Sequence, residues 1–445
     1  MKKFNRCLSA SIIAISMVIS TGCATQDPES TLQIIPSLPA PFLSDKKAEE
    51  LPEAQAEVIQ QNEIFYVDNT VYREIAEGVA SRGVLSGEFL VNSARFSSQQ
   101  FRQTLLPQIT PVASVDENGD AIGRLQVEQV IFDAGRFRAG KSVLSAEQSI
   151  AFADYAIQYN ERVGTAIDAF LREDRSSALA EVSNEISARY KKMQERALKR
   201  LQGGIGNKAE LGLFELKQFE SVTEAARDDA DAQTARAQLE GLTGRSFDQT
   251  PPELTFPGEQ TAVPPVVALA IAEKKRAVSE LWAEKSERLP RLTARGSVGI
   301  GTDLGLGFND RANSFVAGVQ LSQPLTWGKD YGLKATRADS RAASARMNEV
   351  KRDTAVELQA LNLRISELRM QLFQVGKLLQ RATARVDEFD EQFLAGAVGM
   401  VEAVGIIDTY KRIYRSKIEL NYSLLSAQRE KVQLLGLLGP YSQGG

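Results

Sequence analysis

The chain contains no histidine and only two cysteines among its 445 residues. Without imidazole there is no Ser-His-Asp triad, no His-ligated metal and no ordinary proton shuttle at neutral pH. Beyond the N-terminal region, no stretch approaches 18 consecutive apolar residues, which excludes a membrane-spanning helix there. Positive charge is not in excess. Lys and Arg number 53 against 57 Asp and Glu, a net charge of −4, so the counterion-displacing surface of a nucleic-acid binder is missing. With 43% hydrophobic and 25% charged residues, the chain is neither globally disordered nor collagen-like. These absences point away from an enzyme and from nucleic acid, and call for no cofactor or resident metal.

What is present begins at the N-terminus. Met1-Lys2-Lys3 and Arg6 form a basic segment, and Leu8 to Ile19 an apolar one of signal-peptide length. Ser20-Thr21-Gly22-Cys23 follows, and resembles the lipobox of bacterial lipoproteins, in which the cysteine is acylated. Ser20 stands where an aliphatic residue is usual; the alternative is plain cleavage near Gly22 or Ala24. The expectation is a lipoprotein signal peptide at 1–22 and a lipid anchor at Cys23. Cys7 then leaves with the leader and no intramolecular disulfide is possible. An extension containing several prolines covers 23–69. An exported chain without spanning helices can cross a membrane only as a β-barrel.

The rest of the chain repeats itself. Leu106-Pro107-Gln108-Ile109-Thr110 recurs as Leu289-Pro290-Arg291-Leu292-Thr293, and Ser114-Val115 as Ser297-Val298 at the same offset. Leu201, Gly203, Gly206, Gly212 and Leu213 recur as Leu394, Gly396, Gly399, Gly405 and Ile406. Each half closes on a Leu/Gly string, Gly241-Leu242-Thr243-Gly244 and Gly436-Leu437-Leu438-Gly439. Several matched segments in one order mean a duplication. The expected organisation is a first structural repeat at 70–244, a Pro-rich connector at 245–265, a second repeat at 266–439 and a tail at 440–445.

Each repeat reads as a strand pair, a very long helix, a glycine-rich break and a return helix. From Leu358 through Leu361, Ile365, Leu368, Leu372, Val375, Leu379, Ala382, Val386 and Phe389 to Phe393, apolar residues alternate in steps of three and four. That heptad pattern predicts a left-handed supercoil against neighbouring helices. The first repeat is looser, running from Val163 through Ile167, Phe170, Val182, Ile186, Tyr190 and Met193 to Leu201. No proline interrupts residues from Gly135 to about Gln202, so a single helix of roughly 100 Å is expected. The return path is predicted as helix over about 207–242 and again over about 267–289. Tyr410, Tyr414 and Tyr422 fit helix–helix seams.

Candidate strands lie at 109–115 and 123–132, then at 291–300 and 314–322. Their alternation suits a transmembrane β-strand and equally any half-buried antiparallel strand. Whether Arg291 and Arg295 face a lumen depends on strand phase, which alternation leaves open. Four strands cannot close a barrel, so the membrane alternative requires several chains.

This plan resembles the TolC-like outer-membrane efflux protein family, over roughly Thr70 to Gly439. The carriers are the Leu-Pro entries at 106 and 289, the segment Gln129 to Arg136, the break Phe393 to Gly399, and Leu435 to Gly439. The resemblance implies a mainly α fold with a small β part, built from a duplicated strand-pair/long-helix repeat. Three chains would form a trimeric 12-stranded β-barrel continued by an α-helical barrel. It further implies an outer-membrane duct extending into the periplasm, served by an inner-membrane pump and a periplasmic adaptor and embedded in outer-membrane lipid. The helix tips at Gly203, Gly204, Gly206, Gly396 and Gly399 would touch the adaptor. In the family, acidic residues six and nine positions beyond the second-repeat tip glycine narrow the periplasmic entrance. Here Asp408 matches the ninth position and Gly405 replaces the sixth; in the first repeat Glu215 and Gly212 stand at those places. Asp408 and Glu215 are therefore the candidate constriction residues, a ring that would favour cations. Trp327, just past a strand end, with Phe132 at the comparable place in the first repeat, fits an interfacial aromatic girdle.

The leading expectation is the exit duct of a tripartite efflux system. Type I protein secretion uses the same kind of duct and is the near alternative. A lipid-anchored periplasmic coiled-coil spacer is the alternative of a different class, and it leaves the strand pairs unexplained.

Overall fold

The computed structural model describes residues 70–82, 86–104, 106–115, 121–204, 207–254, 263–302, 311–323, 329–394 and 398–438. The expected signal peptide, the anchor at Cys23, the extension to 69, the tip glycines Gly206 and Gly396, Trp327 and the tail at 440–445 lie outside the described residues. Two short helices, α1 (Thr70–Arg82) and α2 (Ser86–Gln103), lead into the strand pair β1 (Gln108–Val115) and β2 (Ala121–Phe132). Then come α3 (Arg136–Gln202), α4 (Lys208–Thr243) and α5 (Pro265–Glu287). The pattern recurs as β3 (Arg291–Thr302), β4 (Arg311–Ser322), α6 (Lys329–Leu394) and α7 (Met400–Leu434).

At 67 and 66 residues, α3 and α6 each run roughly 100 Å at the ordinary helical rise. The start of α3 is fixed by Asp133, which accepts from the Gly135 N–H at 3.0 Å and the Phe137 N–H at 2.7 Å. That carboxylate satisfies donors the first turn cannot pair internally and sits at the positive end of the helix dipole. Arg136 then donates to the carbonyls of Ser286, Glu287 and Leu289 at the end of α5. The aspartate and arginine of the strand-to-helix exit thus start one helix and cap another, joining the two halves of the chain. Asn207 caps α4, its side chain accepting from the Ala209 N–H at 3.0 Å.

The two Leu/Gly strings have a shared physical cause. Gly244 follows α4 and Gly436 follows α7, both with φ of 74°. This left-handed turn releases the chain from the helix, and a side chain would be strained there. At Gly436 there is also no room, since a Cβ would lie 2.5 Å from the Pro265 ring.

Two apolar clusters hold the helices. One joins Val71, Tyr72 and Ile75 of α1 to Val163, Ile167 and Phe170 of α3, Leu239 of α4, and Leu425 and Val432 of α7. Phe247 and Leu254 of the connector enter it. The connector is pinned by the Tyr72 hydroxyl donating to the Pro252 carbonyl at 2.8 Å, and by the Leu254 N–H donating to Gln428 at 3.3 Å. The second cluster lies where α3 and α6 end and α4 and α7 begin; it holds Tyr190, Met193, Phe214, Phe389, Phe393 and Ile407. The α6 heptad residues Leu361, Ile365, Val386, Phe389 and Phe393 are buried. A second apolar row on α6, Val356, Leu363 and Met370 at steps of seven, is 64–67% exposed. On α4, Leu216 and Phe219 are exposed too. One chain alone does not cover these rows.

The four strands form a single antiparallel sheet in the order β1-β2-β3-β4, so the strand pairs of the two halves join through β2 and β3. The outer edges belong to β1 and β4. Among the described residues, no helix is long and apolar enough to cross a membrane.

Candidate functional site

Two regions carry the functional argument: the sheet, and the tip where the long helices end. In an antiparallel sheet, directly opposed residues share a face, so the register sorts every position. One face is assembled from rows such as Pro111–Leu125–Val298–Phe315 and Ile109–Val127–Gly296–Ala317, with Ala294–Val319 and Leu292–Leu321 completing it toward the helices. The opposite face carries Thr110–Gln126–Ser297–Val316 and Gln108–Glu128–Arg295–Gly318, with Arg124, opposite Val112, and Arg291 on the same face, so it is polar with Val112 and Val316 set into it.

Strand phase, left open by alternation, is thereby fixed: Arg291 and Arg295 share the polar face with Arg124 and Glu128. Glu128 pairs with Arg295 at 3.3 Å and with Arg291 at 3.9 Å. The apolar face is bare. Leu125 is 46% exposed, Val298 50%, Phe315 74% and Val319 65%, values that belong to surface rather than core. Phe132, at the helix-proximal end of β2, is exposed as well. A contiguous apolar sheet face with open edges is an unfinished structure in water.

At the tip, α7 is tied to α3 and α4 by a ladder of polar contacts. Asp408 accepts a hydrogen bond from the Tyr190 hydroxyl at 2.6 Å and pairs with Lys217 at 3.1 Å. Lys411 pairs with Glu224. Arg415 grips Asp228 through both terminal nitrogens, at 2.7 and 3.3 Å, and donates to the Ser183 hydroxyl at 2.8 Å. The Tyr410 hydroxyl donates to Glu185 at 3.3 Å while the Arg189 guanidinium stacks over its ring. Burial, then the adjacent Asp408 carboxylate, pushes the Tyr190 hydroxyl far above its ordinary value, so it stays a donor. Lys217 is also held above its usual value, chiefly by its hydrogen bond to Glu220 and, against a desolvation penalty, by Asp408.

Beneath this ladder, Phe214, Phe389 and Phe393 meet edge-to-face and tilted at about 6 Å between ring centres. Tyr410 is buried in the same seam, and Tyr414 packs beside it. Tyr422 packs against the other cluster and hydrogen-bonds Asp174.

The candidate constriction residues differ in surroundings. Asp408 keeps 39% of its side chain exposed while committed to Tyr190 and Lys217 of its own chain. Glu215 is exposed on α4 and accepts from the Gln194 side chain at 2.9 Å. Of the tip glycines, Gly203 caps α3 and donates to the Lys199 carbonyl, and Gly204 follows with φ of 76°. Gly399 stands at the N-cap of α7 with extended backbone, φ −82° and ψ 161°. Gly212 and Gly405, where the acids are replaced, lie inside α4 and α7 with open space around them.

Sequence reasoning did not single out Arg124, Glu128, Lys217, Lys411 or Arg415. The first two were legible as charged positions in an alternating run; the others are helix-face charges whose partners only the fold supplies. Among the described residues no group of three or more His, Cys, Asp or Glu side chains is placed to hold a metal ion.

No protein-family model matches the chain, and no curated protein matches it. Solved structures do. The outer membrane protein VceC of Vibrio cholerae aligns with a TM-score of 0.73 at 14% identity, covering 82% of this chain and 96% of its own. The CmeC outer membrane channel of Campylobacter jejuni gives 0.69 at 11% identity, over 85% and 88% of the two chains. The MtrE outer membrane channel of Neisseria gonorrhoeae, in its open state, gives 0.68 at 14% identity, over 83% and 89%. The mainly helical architecture with one small sheet is therefore the TolC-like outer-membrane channel fold.

Proposed function

We propose that three copies of this chain form the outer-membrane exit duct of a tripartite efflux system. The observation that carries the proposal is the four-stranded sheet, apolar on one face, polar on the other, uncovered on both and open at β1 and β4. Pairing β4 of one copy with β1 of the next removes every edge, turns the apolar face to lipid and the polar face to a lumen. Three copies give 12 strands, and β2, β3 and β4, at 12 residues each and tilted, suit the height of a bilayer's apolar core, with β1 shorter at 8. The exposed apolar rows on α4 and α6 supply seams for the same three-fold packing below.

In this assembly the long helices would run into the periplasm as a hollow barrel, and the acyl group on Cys23 would pin each N-terminus to the inner leaflet of the outer membrane. The tips at Gly203, Gly204, Gly206, Gly396 and Gly399 would meet a periplasmic adaptor, itself joined to an inner-membrane pump. Three copies of Asp408, with Glu215, would stand at the entrance. The duct does no chemistry and conducts passively what the pump delivers. Type I secretion would use the same architecture, while a spacer without a channel gives the two-faced sheet no purpose.

The test is single-channel conductance of the purified full-length protein in planar bilayers, wild type beside Asp408→Ala. Removing Asp408 frees Tyr190, leaves Lys217 to Glu220 and unties α7 from both, loosening the tip, so a small wild-type conductance should rise. Unchanged conductance would keep the duct and discard Asp408 as a constriction residue. Absence of current from well-folded trimers, even with the ladder broken by Arg415→Ala as well, would discard the duct.

A further inference from the structure

The polar face of the sheet carries more positive charge than it can neutralise. Its ionisable side chains are Arg124, Glu128, Arg291 and Arg295, three cations against one anion. Glu128 is shared between Arg291 and Arg295. Arg124, exposed, pairs with no carboxylate among the described residues, and the Arg291 Nε is buried without a hydrogen-bond partner. The nearby cations below the sheet are already occupied. Arg288 pairs with Glu284 and Asp330, and Arg136 is bound to three backbone carbonyls. Each chain therefore presents two uncompensated guanidinium charges on this face.

Resting on the duct reading, we propose that this face is an anion-selecting zone in the membrane-spanning lumen, and that the solutes passed through it are preferentially small organic anions. Guanidinium groups cannot deprotonate at any working pH, and their planar donors match carboxylate, phosphate and sulfonate oxygens. With a low-dielectric lipid wall behind them, two unpaired charges per chain, repeated by the three-fold assembly, would concentrate anions along the passage. The sign is opposite to the Asp408 entrance, so the two ends of the duct would filter differently. The acidic residues at 116–120 and 303–310 lie outside the described residues, and the assignment concerns the strands alone.

The test is the reversal potential under a KCl gradient for the full-length trimer in planar bilayers, in an Asp408→Ala background that removes the entrance acid. Arg124→Gln with Arg295→Gln should lower the chloride-to-potassium permeability ratio severalfold. Glu128→Gln, which releases both of its arginines, should raise it. Conducting channels whose ratio ignores these changes, or moves the same way in both variants, would overturn the proposal and leave the duct intact. If the double arginine variant does not assemble, Glu128→Gln decides alone, because its expected direction is opposite to that of general damage. Silence from well-folded trimers of every variant, even with Arg415→Ala added, would reject the duct, and this zone with it.

Discussion

The two ends of α3 handle charge in contrasting ways. At the tip, Asp408, Lys411 and Arg415 are all spent on partners in α3 and α4 of the same chain. At the sheet, one glutamate serves two arginines, and a third, Arg124, pairs with no carboxylate among the described residues. Apolar surface divides less sharply: Phe214 and Phe393 inside the tip are fully buried while Leu216 and Phe219 on its outside are exposed, and on the sheet Phe315 and Val319 are mostly exposed. The polar ladder at the tip closes within one chain. The sheet does not, and its missing neighbours must be lipid, solvent and further copies of itself. The ladder holds α7 in position against α3 and α4, while the open sheet is built to meet something else.

The contrast breaks most severely if a charge is placed on the apolar face. Val298→Lys should cost about 2–4 kcal/mol per chain near the bilayer midplane, multiplied over the copies in a closed barrel. Ser297→Lys, one residue away on the polar face, should cost little. Urea titration of the protein refolded into lipid vesicles would compare them, and equal costs would mean the faces are assigned wrongly.

At the tip, Arg415→Ala strands Asp228 in a site where its side chain is 12% exposed. Removing one partner of a largely buried pair costs toward the lower end of about 3–5 kcal/mol. The loss should be local, read as faster hydrogen exchange in the first turns of α7 with the sheet unaffected.

The smallest effect belongs to the connector. Glu253 accepts from Arg369 at 2.6 Å and from Gln428 at 2.8 Å, and these bonds, Arg369 first, hold its carboxyl below the ordinary value. The stabilisation is fully present above the usual carboxylate pKa and fades as pH falls through the lowered one. Because Glu253 is more than half exposed, the effect should stay under about 1 kcal/mol. Thermal melts of Glu253→Gln against wild type should differ near neutrality and converge in acid.

Much of this architecture was legible in the chain itself, for reasons that differ by element. The α6 heptad reads cleanly because that helix buries one stripe, against α5 and α7. The α3 pattern blurs because α3 is packed by α1, α2, α4, α5 and α7, so apolar residues such as Ala166, Ile167, Ala169, Phe170 and Leu171 point all round it. Strand alternation revealed two faces but not their assembly, since phase across β2 and β3 depends on pairing between halves of the chain. The tip ladder was out of reach. Tyr190 and Asp408 are 218 residues apart, and only the packing of α3 beside α7 brings them together. Tyr190 had been legible as a seam residue, its ring buried as expected, with the hydroxyl's partner undetermined.

The central claim is that the sheet closes with its apolar face on lipid and its polar face on water. Ser297→Cys and Val298→Cys, adjacent on β3 and pointing to opposite faces, test it most directly. Single-channel current through each full-length variant would be recorded before and after a membrane-impermeant charged thiol reagent, with the parent protein as control. The account predicts that the reagent reduces current through the Ser297→Cys channel and leaves the Val298→Cys channel unchanged. Block of the Val298→Cys channel with the Ser297→Cys channel untouched would contradict it.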